Sequence, residues 1–166
     1  GRAIAGENHR FQKRPFALFL TRQKVPHIPE NLRTNIDVSR GGYVLSDEEG
    51  FEVILIAAGS EVSVALDASE QLRQTGRKVR VVSLPSWELF DEQDEAYRDS
   101  VLPPECARRV SIEAAVTFGW QRYIGCRGLA IGVDHFGHSA PYTLLAEKYG
   151  LTAEQVGNRV NEYIEQ

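Results

Sequence analysis

The chain has 166 residues, of which 42% are hydrophobic and 25% are charged, and its formal net charge is −4. This length and composition suit one globular domain with its own core and exclude a disordered or low-complexity protein. Because the charge is slightly acidic and of mixed sign, no nucleic-acid partner is expected. The apolar runs are too short for a membrane helix and no signal-peptide pattern is present, so we expect no membrane association and a cytoplasmic location.

The cysteine and methionine contents bear on the origin of the chain. Cys106 and Cys126 form no CxxC or Cys/His pattern, which argues against a disulfide framework and a structural zinc site. We therefore predict that both are reduced. The sequence contains no methionine and begins at Gly1 with a polar, basic stretch. This indicates a fragment or a processed product of a longer protein.

The first apolar run of the chain covers residues 16–20. It predicts a strand at 16–21, which a proline-punctuated linker follows. Arg22 comes directly after this run, where a guanidinium group can offer a two-pronged contact to phosphate or carboxylate. We interpret residues 42–166 as a compact domain, which the predicted strand and the linker precede.

Strand and helix patterns alternate in the compact domain. Because parallel strands need crossover connections, this alternation predicts an α/β fold with helices on both faces of a largely parallel sheet. The first strand is joined to the second by a short turn only, so the two are predicted to form an antiparallel hairpin. The predicted strands are 43–45, 51–58, 79–84, 110–114 and 129–133, and the predicted helices run from Ser60 to Gly76 and over 92–101 (capped by Asp91), 117–124, 142–149 and 152–164 (opened by a Thr152/Gln155 capping box).

Candidate binding groups follow the strands, because ligands of open parallel sheets bind at the carboxyl ends of the strands. Gly59 and Ser60 lie at such an end, but neither GxGxxG nor GxxxxGK[ST] is present, so a dinucleotide or P-loop site is not indicated. Glu113 ends an apolar strand, where an ionised carboxylate needs donors. We interpret Glu113 as a cap of the helix near residues 117–119, and a catalytic carboxylate is the alternative.

The loop over residues 134–139 combines two histidines, His135 and His138, with a carboxylate and a hydroxyl group. Such groups could form a metal site or a catalytic triad. However, all of them come from one local stretch, and no GxSxG motif accompanies them. We therefore predict a structured interface loop.

Seven segments, taken together, carry a family resemblance. They include the motifs TRQ, GSE, SxxLFD and DxFG, and they lie at residues 15–23, 41–45, 57–62, 79–91, 100–103, 111–114 and 132–137. In this order they resemble the C-terminal part of transketolase. The resemblance runs from about residue 15 to the end of the chain, and the combination is specific although each motif alone is not.

The resemblance implies an enzyme that uses thiamine diphosphate and Mg²⁺ or another divalent cation to transfer a two-carbon ketol unit between sugar phosphates. Such enzymes have three domains and are homodimers whose active sites lie between the subunits. This chain has no GDG-type metal and diphosphate motif and lacks the domain with the cofactor-activating glutamate. The resemblance therefore implies no catalytic, cofactor-binding or metal-binding residue here. It implies an inactive fragment that serves structure and dimer assembly together with the remaining transketolase domains.

Arg22 matches the arginine of the TRQ motif, which implies that it binds the substrate phosphate. The resemblance also implies that residues 1–41 are the end of the preceding pyrimidine-type domain, with the strand at 16–21, and a linker, and that residues 42–166 are the transketolase-like C-terminal domain. The implied fold is a three-layer domain with a five-stranded mixed, mostly parallel sheet, in which the strand near Tyr43 is antiparallel to the other four. One alternative is the C-terminal domain of a 2-oxoacid dehydrogenase β subunit or a deoxyxylulose-phosphate synthase, and the TRQ motif argues against both. Another is a non-enzymatic α/β interaction module that holds a dimer together.

Overall fold

A computed structural model describes Pro15, residues 17–21 and residues 23–166. Two short 3₁₀ helices, Glu30–Asn35 and Val38–Arg40, lead into the sheet. Among the described residues, no helix is long and apolar enough to cross a membrane. The strands are β1 (Tyr43–Ser46), β2 (Val53–Ala57), β3 (Val79–Ser83), β4 (Arg109–Ile112) and β5 (Leu129–Ile131), and the helices are α1 (Glu61–Gln74), α2 (Trp87–Asp91), α3 (Glu95–Val101), α4 (Gln121–Ile124), α5 (Tyr142–Tyr149) and α6 (Ala153–Ile164).

The five strands form one sheet in the order β1-β3-β2-β4-β5. β1 is antiparallel to β3, whereas all other pairs are parallel. The predicted α/β class and the five-stranded mixed sheet with one antiparallel strand are therefore confirmed. All five residues of β2 are buried. This central position explains why its sequence is a continuous apolar run rather than an alternating one.

The predicted hairpin between β1 and β2 is wrong, because β1 pairs with β3. β2 is flanked by β3 and β4 and has no free edge. The acidic turn between β1 and β2 instead passes the start of β3. Asp47 accepts two bonds from Arg80, at 2.9 and 2.7 Å, and Glu48 accepts one from the amide of Val79 at 3.4 Å. These contacts hold the turn across β3, so a short connection joins two strands that are not neighbours.

Helices cover both faces of the sheet and divide the core in two. α1 and α6 pack on one face, where Leu72 and Val160 are fully buried. On the other face α2, α3 and α4 enclose an aromatic cluster that contains Phe90, Trp120 and Tyr123. Edge-to-face contacts between aromatic rings, such as that of Trp87 with Trp120 at 5.1 Å, join the helices of this second face.

The segment after β3 differs from its prediction, because it holds two short helices instead of one. The hydroxyl of Ser86 accepts a bond from the amide of Leu89 at 3.4 Å and caps α2. The carboxylate of Asp94 accepts a bond from the amide of Tyr97 at 2.7 Å and caps α3. The prediction that Asp91 is the cap is therefore wrong. Each helix follows a residue with a short polar side chain, which is the general capping rule.

Two other predicted helix boundaries have opposite outcomes. The Thr152 cap of α6 is confirmed, since its hydroxyl accepts a bond from the amide of Gln155 at 3.3 Å and donates one to its side-chain oxygen at 2.9 Å. The helix predicted over 117–124 is limited to α4. Gly119 has a φ of 92°, and a Cβ at this residue would lie 2.9 Å from the Trp87 ring. Its left-handed conformation ends any continuous helix at this point.

The strand predicted at 16–21 is not observed over its described part. Residues 17–21 have no regular secondary structure, and Phe16 lies outside the described residues. Leu18, Phe19 and Leu20 are 52%, 91% and 78% exposed. A strand requires a neighbour for its backbone hydrogen bonds, and no described strand pairs with this segment. The division of the chain at residues 41 and 42 stays a prediction.

Candidate functional site

Polar side chains gather at the carboxyl edge of the parallel strands. Ser60 and Glu61 follow β2, Glu113 follows β4 and Asp134 follows β5. Since β2, β4 and β5 are parallel neighbours, their carboxyl ends lie at one edge. This is the edge at which the sequence places a binding crevice.

Glu61 is the first residue of α1 and is only 5% exposed. The hydroxyl of Ser60 donates a bond to its Oε1 at 2.8 Å. Burial raises the pKa of Glu61, although bonds from Ser60, from its own amide and from the amide of Ala114 oppose the rise. The carboxylate is therefore held by several donors at the start of a helix, where negative charge is favourable.

Glu113 follows β4 and Glu61 follows its neighbour β2, and the charge of Glu61 disfavours ionisation of Glu113. Burial, followed by the charge of Glu61, raises the pKa of Glu113 to about 7. The same charge adds to burial in raising the pKa of Tyr142. The charge of Glu61 therefore influences both Glu113 and Tyr142, and the raised pKa of Glu113 lies near neutral pH.

The prediction that Glu113 caps the segment near residues 117–119 is wrong, because Asp134 has that role. The amide of Thr117 donates to Oδ1 of Asp134 at 2.7 Å, and the hydroxyl of Thr117 donates to Oδ2 at 2.8 Å. These bonds lower the pKa of Asp134. They also tie the loop after β4 to the loop after β5.

The histidine loop after β5 is organised by α5. Nδ1 of His138 lies 2.8 Å from the Tyr149 hydroxyl, and its Nε2 lies 3.2 Å from Nζ of Lys148. The His135 ring packs on Tyr149 with a centroid distance of 5.2 Å. Because both oxygens of Asp134 accept bonds from Thr117, this carboxylate does not orient either imidazole as a triad would.

The two tied loops also expose large apolar side chains. Val116 is 55% exposed, Phe118 85% and Phe136 97%. Exposed apolar groups held on ordered loops are typical of a surface that another protein region covers. The arrangement at this edge therefore offers a contact surface together with a proton-exchanging carboxyl group.

The sequence-predicted site residue Arg22 lies outside the described residues, so its role stays a prediction. Sequence reasoning missed the pairing of Glu61 with Glu113. The available signal was that each glutamate follows the carboxyl end of a strand, but the sheet order that makes β2 and β4 neighbours was not predicted. It also missed the bond between Asp134 and Thr117, which joins two loops that are distant in sequence.

A divalent cation and thiamine diphosphate are the groups that the family resemblance implies. In residues 17–21 and 23–166, no group of three or more His, Cys, Asp or Glu side chains is arranged to hold a metal ion. The clustered carboxyl groups of Glu61 and Glu113 instead carry raised pKa values, which disfavours the ionised form that a metal needs. This part of the chain therefore does not fit the divalent cation.

Comparisons with known proteins agree with the resemblance. A model of the "Transketolase-like TK C-terminal domain" matches residues 41–152. The chloroplastic transketolase of Zea mays is 48% identical over 149 residues, covering 87% of this chain and 22% of that protein. The structure of transketolase from Leishmania mexicana superposes with a TM-score of 0.71 and 41% identity, covering 77% of this chain and 18% of that chain. A structure described as a split gene transketolase, inactive beta4 tetramer, has a TM-score of 0.67 and 25% identity, covering 87% of this chain and 48% of that chain.

The family match covers more than half of the chain and includes the whole sheet. The chain spans 22% of the length of the Zea mays relative, so the similarity concerns one part of that enzyme. The chain belongs to the transketolase family, in which it corresponds to the C-terminal domain.

Proposed function

We propose that this chain acts as the C-terminal portion of a transketolase, an enzyme that transfers a two-carbon ketol unit between ketose and aldose phosphates. The observation that carries this proposal is the family match over residues 41–152, joined with 48% identity to the Zea mays enzyme. Thiamine diphosphate and the divalent cation would be held by other parts of the enzyme. The isolated chain is therefore expected to be inactive.

Within the enzyme, the chain would serve structure and subunit assembly. The ordered loops that expose Val116, Phe118 and Phe136 support this role, since such side chains favour burial against another surface. The relative described as a beta4 tetramer is an assembled protein, and this chain covers 48% of it. We propose a homodimer built together with the remaining transketolase domains. The proposed compartment is the cytoplasm, whereas the Zea mays relative is named as chloroplastic.

Arg22 is the one substrate-binding residue in this proposal. Its support is the TRQ motif and the ability of a guanidinium group to bind phosphate through two parallel hydrogen bonds. Such a contact exists in both the ground state and the transition state. The proposed residue would therefore set the affinity for phosphorylated sugars rather than the rate of the chemical step.

A chimeric enzyme tests the proposed function. The 149 residues of the Zea mays transketolase that align with this chain are replaced by the corresponding residues of this chain. We expect ketol transfer between sugar phosphates with a turnover within about tenfold of the parent, because the reacting groups lie in the unchanged part. A chimera that folds and dimerises without activity would contradict the proposal. The parent enzyme truncated before the aligned segment is the control.

A further inference from the structure

A cavity of about 940 Å³ lies at the amino edge of the parallel strands, opposite to the carboxyl edge. Its walls come from the segments that lead into the strands. Phe51 precedes β2, Arg108 precedes β4 and Arg127 precedes β5, while Tyr163 near the end of α6 lines another wall. Its volume lies in the range of small-molecule sites.

The charged groups of this cavity differ in whether they already have a partner. Arg80 is neutralised by Asp47 at 2.7 Å, and Glu52 lies 3.7 Å from Arg77. Over the described ranges, no carboxylate oxygen lies within 4.0 Å of the guanidinium groups of Arg108 and Arg127. Two exposed guanidinium groups at one cavity are therefore available to an anion.

A third guanidinium group adds positive charge behind the cavity. Arg109 donates to the backbone carbonyls of Cys106, Tyr123, Leu102 and Pro103, at 2.8 to 3.0 Å, so neutral groups satisfy it. Asp99 and Glu105 also line the cavity and balance part of this charge. They do not form ion pairs with the two available arginines in the described part of the chain.

The two available arginines line the cavity together with Tyr163. The hydroxyl of Tyr163 donates to the backbone oxygen of Arg127 at 2.8 Å, which fixes that loop against α6. The positive charges of Arg108 and Arg127 oppose the rise in the pKa of Tyr163 that burial causes. A doubly charged anion placed there would meet both of them.

We propose that this cavity binds a small molecule that carries a phosphate group. Arg108 and Arg127 would bind the phosphate. A phosphate dianion has enough acceptor oxygens to bind two guanidinium groups at once, whereas a single carboxylate can make a two-bond contact with only one. The organic part would lie against the less polar wall that Phe51 and Pro103 provide. This site is separate from the proposed transketolase reaction and does not depend on it.

Titration of the ¹⁵N-labelled chain with inorganic phosphate tests this site. We expect saturable shifts of the amides of Arg108, Arg127 and Tyr163, with a dissociation constant on the order of 1 mM. Sodium chloride at the same ionic strength and sodium acetate should not reproduce these shifts. Arg108→Ala and Arg127→Ala should each weaken binding about tenfold, as the loss of one charge-assisted contact predicts.

Arg159→Ala is the matched control, because Arg159 lies on α6 but does not line the cavity. If an alanine variant does not give a folded spectrum, Arg108→Gln and Arg127→Gln replace it. Shifts that grow linearly with phosphate, shifts that chloride or acetate reproduces, or an unchanged affinity in folded Arg108 and Arg127 variants would overturn the proposal. Saturable binding that these variants weaken and Arg159→Ala does not would support it.

Discussion

Replacement of Glu113 by glutamine should stabilise the fold at alkaline pH. Burial and the charge of Glu61 raise the pKa of Glu113 from 4.5 to about 7. Below pH 4.5 the carboxyl group is protonated in both the folded and the unfolded chain, and its contribution to stability is fully present. Between pH 4.5 and 7 the folded chain binds more protons, so the free energy of unfolding falls as the pH rises.

The size of this effect follows from the same pKa values. The pKa of Glu113 rises from 4.5 to about 7, and each pKa unit corresponds to about 1.36 kcal/mol. The ionised side chain therefore lowers the free energy of unfolding by about 3 kcal/mol at most. Because the side chain is only half-buried, solvent screening lowers the expected effect to about 1 to 3 kcal/mol. Glu113→Gln removes the ionisation. The free energy of unfolding of this variant should therefore exceed that of the wild type by about 1 to 3 kcal/mol at pH 8 and equal it at pH 4.5.

Urea unfolding of the wild-type chain and the Glu113→Gln variant from pH 4.5 to 8.5 measures the difference. Glu49→Gln, at an exposed position in the turn before β2, is the control and should retain the pH dependence of the wild type. An equal stability of wild type and Glu113→Gln at pH 8 would contradict this prediction. So would a difference between the two that is the same at every pH, because it would mean that the pKa of Glu113 is the same in the folded and the unfolded chain.

Three other predictions concern a helix cap, a glycine and the proposed phosphate contact. Asp94→Ala should lower the free energy of unfolding by about 1 kcal/mol in urea melts, because it removes the cap of α3, and an unchanged melt would contradict this. Gly41→Ala should destabilise the fold by more than about 2 kcal/mol, because its Cβ would clash with the Phe90 backbone nitrogen. Gly76→Ala is the control and should cost only about 1 kcal/mol, because nothing lies within 4 Å of its Cβ. Equal costs of the two variants would contradict the expected clash. In the complete enzyme, Arg22→Ala should raise KM for phosphorylated sugars by roughly ten to a hundredfold with a smaller change in kcat. An equal rise for an unphosphorylated acceptor would mean that Arg22 shapes the site instead of binding phosphate.

The sheet-forming segments could be predicted because each carries a local signal. The buried strands are continuous apolar runs, and the glycine at residue 76, with a φ of 86°, follows the end of α1 as the sequence predicts. Helix caps could not be assigned by residue type alone. Asp91 and Asp94 are both acceptable caps by residue type, and the groups that they bind distinguish them. Asp91 binds Arg122 at 2.7 Å, and Asp94 alone reaches a helix amide.

The order of the strands in the sheet could not be predicted from such local signals. A short turn usually joins neighbouring strands, and this rule predicted the hairpin between β1 and β2. The rule failed because ion pairs hold the turn across β3, and because the most apolar strand takes the centre of the sheet. Arg80, which lies on β3 and binds Asp47, gave no local sign of that partner.

The candidate site shows the same limit. Glu61 and Glu113 were both visible as carboxylates at strand ends, but their effect on each other depends on β2 and β4 being neighbours. The sequence therefore identified the edge and its residues but assigned Glu113 the wrong role. The family resemblance could be predicted because it rests on a combination of short sequence motifs, none of which depends on strand order.

We propose that this chain supplies the C-terminal domain of a transketolase and does not itself bind the cofactor. Calorimetric titration of the chain with thiamine diphosphate and Mg²⁺ tests this claim directly. We expect a folded chain with no measurable heat of specific binding and no ketol transfer. Saturable binding of thiamine diphosphate by the isolated chain would contradict it.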